Sequence, residues 1–292
     1  MRALLKPHLL LTALAPLIWG SSYIVTSQLL PPDRPFTAAL IRVLPAGLIL
    51  LALQWQPPAA GQWGKVLLLS LLNISLFQSL LFIAAYQLPG GLAAVIGAIQ
   101  PLLILALIWM LEKIKPSLWL VCACLMGVLG MAALLLAPDS SWSISGVLAA
   151  LAGAACMATG TYLTRHWALP LPVLALTGWQ LLLGGVLLLP AMLWLDAPLP
   201  ALRPSQLLAY AYLCIFGALI AYVLWFRGMR SLSAVAVSAL GLLSPLSAVL
   251  LGWWLLGEAM SPLSLAGLLI VFASVMAVQW FARPVPSSFQ EK

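Results

Sequence analysis

The sequence predicts an all-α integral membrane protein: ten transmembrane helices in two inverted-topology five-helix repeats, with both termini cytoplasmic. Three observations carry that prediction. Of 292 residues, 64% are hydrophobic and 7% are charged. A soluble domain carries roughly 25% charge, so water is not the solvent for most of this surface. Ten apolar runs approach the roughly 20 residues that cross a bilayer. The chain also repeats itself at half its length.

The repeat is plainest from Leu92 to Pro116, LAAVIGAIQPLLILALIWMLEKIKP, and again from Val235, VAVSALGLLSPLSAVLLGWWLLGEAMSP. In each, small residues lead to a proline, then an apolar run, then Glu-x-x-x-Pro. Pro101 and Pro245 are 144 residues apart, and Glu112 and Glu258 are 146 apart. A unit this long is no solenoid repeat. It divides the chain into homologous halves, residues 1–140 and 141–292, as in many transporters.

The expected spans are 9–30, 36–53, 66–87, 90–111, 117–136, 146–164, 172–194, 205–227, 233–256 and 263–281. Breaks fall at polar or proline-rich joints such as Pro31-Pro32-Asp33-Arg34-Pro35. Arg2 and Lys6 before the first run imitate a signal peptide. The run continues to Leu30 without a small-x-small cleavage site, so a retained first span is expected. The polar tail after Phe281 is expected to be disordered.

Lysine and arginine set the orientation. With the N-terminus inside, Arg2, Lys6, Lys65, Lys113, Lys115, Arg165, Arg227, Arg230, Arg283 and Lys292 fall inside, Arg34 and Arg203 outside, and Arg42 within a span. An odd number of spans per half then inverts the second half relative to the first. Inverted repeats are an architecture of alternating access.

Other classes are disfavoured. The net charge of +7 is scattered at the ends of apolar runs, not clustered for nucleic acid. Cys122, Cys124, Cys156 and Cys214 lie inside apolar runs and read as small buried hydrophobes. No buried Ser/His pair, paired carboxylates or zinc-type cluster is visible, so no enzyme, metal or cofactor is expected. The expected partners are a small-molecule substrate and the lipid bilayer, with the chain a monomer or homodimer. A channel or a lipid translocator on the same fold remains the alternative.

Several motifs carry a resemblance. They are Ile18-Trp19-Gly20-Ser21-Ser22-Tyr23, Leu40-Ile41-Arg42, Pro101, Trp179-Gln180, Pro245, Gly257-Glu258 and Gly267. Their order over nearly the whole chain resembles the EamA family of the drug/metabolite transporter superfamily, and within it the PecM-like exporters of a blue pigment. The resemblance implies an inner-membrane exporter of small metabolites with a central cavity between the halves. One departure is that Trp19 has no counterpart in span 6, where Met157 and Ala158 precede Thr159-Gly160-Thr161-Tyr162.

The candidate site residues follow from polar and aromatic groups inside spans. Arg42 reads either as an anchor for a substrate anion or as a structural arginine on helix-end carbonyls. Trp19 and Tyr23 share a helix face at i, i+4. Gln78, Tyr86, Gln100, Tyr162, Trp179, Gln180 and Tyr222 add amide and aromatic groups that need partners in hydrocarbon. Each reads as cavity lining, helix glue or interface anchor. The interface reading is favoured for Trp55, Trp63, Trp142 and Trp194. No Asp or Glu lies deep in a span, which disfavours exchange of an organic cation for protons at one carboxylate. Pro101 and Pro245 read as hinges or as static kinks.

Overall fold

A computed structural model describes residues 7–88, 92–135, 143–257 and 259–282. Among these residues all regular structure is helical, and ten spans are long and apolar enough to cross a membrane. The chain is a multi-pass membrane protein.

In the first half, α1 is Pro7–Leu29 and α2 is Pro35–Leu53. Helix α3 changes pitch along its length, from Trp63–Ser70 through a π segment Leu71–Leu76 to Phe77–Gln87. Helix α4 is broken into Leu92–Gly97 and Gln100–Glu112, and α5 is Leu118–Leu135. The second half follows the same plan. Helix α6 is Ile144–Trp167 and α7 is Val173–Leu195. Helix α8 runs Pro204–Tyr212, a π segment Leu213–Ile220, then Ala221–Ser231. Helix α9 is broken into Ala234–Leu240 and Leu243–Leu256, and α10 is Pro262–Phe281.

Local chemistry sets these limits. Pro35, Pro204 and Pro262 open α2, α8 and α10, where a missing N–H costs nothing. Ser143, Ser233 and Ser261 cap α6, α9 and α10 by accepting from the N–H of Gly146, Ala236 and Ser264 at 3.3, 3.2 and 3.0 Å. Helices α4 and α9 end on left-handed residues, Lys113 (φ 58°) and Gly257 (φ 67°). The breaks in α4 and α9 come just ahead of Pro101 and Pro245. A proline ring excludes the carbonyl four residues back, here that of Gly97 and Gly241.

Lipid is as apolar as leucine, so close packing of small residues decides which helices meet. Helices α2 and α7 run antiparallel along each other. A Cβ on Gly47 would fall 2.5 Å from the Leu182 nitrogen, and one on Gly185 would fall 2.9 Å from Leu44 Cβ. At one end the Thr37 N–H donates to Asp196 Oδ2 at 2.5 Å; at the other, Trp179 Nε1 donates to the Gln56 carbonyl at 2.9 Å. Helices α5 and α10 are also antiparallel. A Cβ on Gly267 would lie 2.7 Å from the Gly130 carbonyl, and Ser274 Oγ donates to the Ala123 carbonyl at 2.6 Å.

Other extensive contacts also cross between halves. Helix α1 packs on α8 and α9, and α6 packs on α3 and α4. Exchanging each helix for the one five places along converts the first set of contacts into the second.

Candidate substrate cavity

A cavity of about 410 Å³ lies between the halves, lined by α1 to α4 of the first and by α6, α8 and α9 of the second. That size suits a small organic solute. Ala93, Ala94 and Gly97 of α4 and Ala150, Gly153 and Ala154 of α6 leave the space open. A Cβ on Gly97 would meet nothing within 4 Å. Trp19, Phe77, Tyr222 and Trp225 supply aromatic surface, and no carboxylate is among the described residues that line it.

The wall is organised on a backbone carbonyl. In the π segment of α8 the N–H of Ala221 bonds to the carbonyls of Phe216 and Ala218, not to that of Gly217 four residues back. The Gly217 oxygen is thereby turned to side chains. It accepts from Trp19 Nε1 at 2.9 Å and from Arg42 Nη2 and Nε at 2.7 and 3.3 Å. Thus the charge of Arg42 is held by a peptide dipole of the other half. Trp19 also meets the rings of Tyr222 and Trp225 at 5.2 and 5.1 Å between centroids, in tilted contacts. Gln78 Nε2 lies 3.5 Å from the Tyr222 hydroxyl. These two residues are 144 positions apart, the spacing of the repeat.

Six of the residues singled out in the sequence line this cavity: Trp19, Arg42, Gln78, Gln100, Tyr222 and Pro245. Pro101 is buried in the first turn of the second segment of α4 and does not reach it. The side chains of Tyr23 and Tyr86, like Trp142 and Glu258, lie outside the described residues. Three further candidates, Trp179, Gln180 and Tyr162, are not among the residues that line this cavity. Trp179 is packed between the rings of Trp55 and Trp63 at 5.3 and 4.9 Å. Gln180 is fully buried, its Oε1 accepting from Asn73 Nδ2 at 2.9 Å. The Tyr162 ring stacks on His166 at 5.4 Å, away from the cavity. Helix α7 is apolar on every side, so no periodicity marks the face that it turns to α2 and α3.

Two features of this region, the Gly217 carbonyl behind Trp19 and Arg42 and the lining residue Ser238, fall outside the candidates named from the sequence. The Gly217 carbonyl has no side-chain signal. Ser238 had one, because it shares a helical face with Gly241 and Pro245 at i, i+3 and i+7.

A second pocket of about 640 Å³ lies beyond the first, with Glu112, Tyr162, Arg165, His166 and Arg230 in its wall. Arg165 donates to the carbonyls of Met229 and Leu232, and Arg230 to that of Leu171. Arg165 thus ties off carbonyls at the C-terminal end of α8, as basic side chains there do, and Arg230 one in the loop between α6 and α7. His166 Nδ1 lies 3.7 Å from Glu112 Oε1.

The two spaces are separated by a thin septum. On α6, Met157 lines the first and Tyr162 the second, about 7.5 Å apart along a helix. On α8 the neighbours Trp225 and Phe226 divide between them, and on α9 Ser238 and Ala234 do.

Ten spans around a central cavity, walled off from a second pocket by about one helical turn, define a polytopic membrane protein of the solute-carrier kind. The sequence matches the EamA-like transporter family over residues 6–136 and again over 144–280. The chain belongs to that family. It is 40% identical to Protein PecM of Dickeya dadantii (strain 3937) over 268 residues, 91% of this chain and 90% of that protein. It is 30% identical to the uncharacterized inner membrane transporter YedA of Escherichia coli (strain K12), over 89% of this chain and 87% of that one. A solved crystal structure, 21% identical, has a TM-score of 0.79 and covers 94% of this chain and 97% of its own, so the fold is one already seen by crystallography.

Proposed function

We propose that the protein exports small amphipathic metabolites, amino-acid-like, aromatic or pigment-like, across the inner membrane by alternating access. The septum carries this reading. A cavity stopped about one helical turn short of a second pocket is suited to a carrier that exchanges which side is open. A channel would need a continuous path.

The two halves supply the machinery for that exchange. The antiparallel pairing of α2 with α7 and of α5 with α10 supports an inverted repeat, as do the helix contacts that interchange between halves. Two inverted halves can trade conformations, so that the second state is the first with the roles of the halves reversed. The basic residues support cytoplasmic termini, an orientation in which the second pocket, with Arg165 and Arg230 in its wall, lies toward the cytoplasm. Pro101 and Pro245, at the broken helices α4 and α9, are the proposed hinges. The printed name of YedA supports the inner membrane. The site is complete within one chain, so a monomer suffices.

The experiment is metabolite profiling of cells and medium, comparing overproduced protein, the Arg42→Ala variant and an empty vector. A compound that leaves the cell only with the intact protein supports export and identifies a substrate. If added candidate compounds accumulate equally with and without the protein, export is wrong.

A further inference from the structure

We infer that the transported solute carries a hydrogen-bond acceptor on a planar aromatic frame, and that this acceptor docks on the Trp225 indole N–H and the Ser238 hydroxyl. This rests on the transport reading and narrows its substrate class to carbonyl, carboxylate or ring-nitrogen compounds.

The argument starts from three unpaired polar atoms. Trp225, Ser238 and Ser22 are 4, 5 and 7% exposed. Their Nε1, Oγ and Oγ have no hydrogen-bond partner. All three residues line the central cavity. Buried polar side-chain atoms without a partner are uncommon, and each calls for an explanation. Of seven such atoms among the described residues, three belong to residues of three helices around this one cavity, where a solute can supply the partner.

The chemistry of the occupant follows from the donors. An indole N–H donates and cannot accept. The Trp225 ring packs on Trp19 at 5.1 Å between centroids and is almost fully buried. The ring has little freedom to turn its N–H elsewhere, so an acceptor must come to it. The two hydroxyls can donate alongside it. Arg42 adds positive charge to the same cavity, and no described lining residue offers a carboxylate. A cation would find no counter-charge here, whereas an anion or a neutral carbonyl compound is matched. Trp19, Phe77 and Tyr222 offer ring faces for a flat frame.

The unpaired atoms are sealed from solvent in this arrangement, although their residues line the cavity. Pairing therefore requires the side chains that cover these atoms to move aside as the wall rearranges around the solute. The solute then favours the rearranged state over this one, which is the differential affinity that a ligand-driven population shift needs.

The test uses protein in lipid nanodiscs, titrated calorimetrically with 2-naphthoate, 2-naphthamide and 2-naphthylmethylammonium, with empty nanodiscs subtracted. The first two carry an acceptor on the same ring; the third carries only donors. Naphthoate and naphthamide are expected to bind at least about ten-fold more tightly than the ammonium probe. Trp225→Phe keeps the ring and deletes the N–H. It is expected to weaken naphthamide about ten-fold, or about 1.4 kcal/mol, and to leave the ammonium probe unchanged. Ser238→Ala is expected to act in the same direction with a smaller factor. Melting curves of both variants identify any that have merely lost their fold. Equal binding of all three probes, no binding of any, or wild-type naphthamide affinity in both folded variants overturns the inference. Naphthamide flux in proteoliposomes separates this from the transport reading. Selective binding without flux for any solute sinks transport and keeps the acceptor site; flux without selectivity does the reverse.

Discussion

Arg42 and Gly217 join the two halves of the protein: the guanidinium on α2 donates to the peptide carbonyl on α8 at 2.7 Å. The duplication has a counterpart of this crossing, 142 residues displaced. There Ser75 Oγ on α3 donates to the Gly184 carbonyl on α7 at 2.8 Å. The same two crossings are thus bonded in both halves, but only one uses a charged side chain. That one faces the cavity, so the asymmetry falls where a substrate would sit.

The first prediction concerns that charge. Arg42→Ala is expected to cut transport at least ten-fold while membrane insertion persists. A hydrogen bond to a charged group is worth about 1.5–3 kcal/mol, so the purified variant should also lose thermal stability by about that amount. Arg42→Lys keeps the charge but loses the planar fork and should fall between. Proteoliposome flux with a melting curve checks all three, and wild-type flux in both variants would sink the role of Arg42.

Trp19 separates a hydrogen bond from a ring. Trp19→Phe removes the donor to Gly217 and keeps a smaller aromatic ring, and should cost about 1–2 kcal/mol. Trp19→Ala also removes the contacts with Tyr222 and Trp225 and should cost about 3–5 kcal/mol. Denaturation midpoints of the two variants measure the difference. Equal losses would mean that the rings contribute nothing.

Two glycines should behave in opposite ways. A Cβ on Gly47 meets the Leu182 backbone at 2.5 Å, where nothing flexible can yield, whereas one on Gly97 meets only the cavity. Gly47→Ala is expected to cost about 1–3 kcal/mol through overpacking. Gly97→Leu should insert and fold normally but lower flux by filling the cavity. Normal flux in a folded Gly97→Leu protein would show that the cavity is not the route.

Topology is open to direct measurement. Reporters fused after Lys65 and after Lys292 are expected to read as cytoplasmic, and one placed in residues 139–145 as outside. A reversal at any site breaks the inverted-repeat argument.

The sequence by itself determined that the chain has ten spans long and apolar enough to cross a bilayer and that it is a duplication, and it singled out Trp19, Arg42, Gln78, Gln100, Tyr222 and Pro245, which line the cavity. Composition, run length and repeat spacing are local properties, and a chain this apolar leaves few alternatives to closed helices. Three decisions belonged to the tertiary structure. One was which face of each helix meets the cavity, because helices apolar all round carry no amphipathic signal; Trp179 and Gln180 point away for that reason. A second was the change of pitch in α3 and α8, which turns the Gly217 carbonyl towards Arg42 and Trp19 without any side chain to announce it. The third was the septum. Its thickness depends on how Trp225, Phe226 and Ser238 from separate helices come together, and spacing along the chain does not encode distance across it.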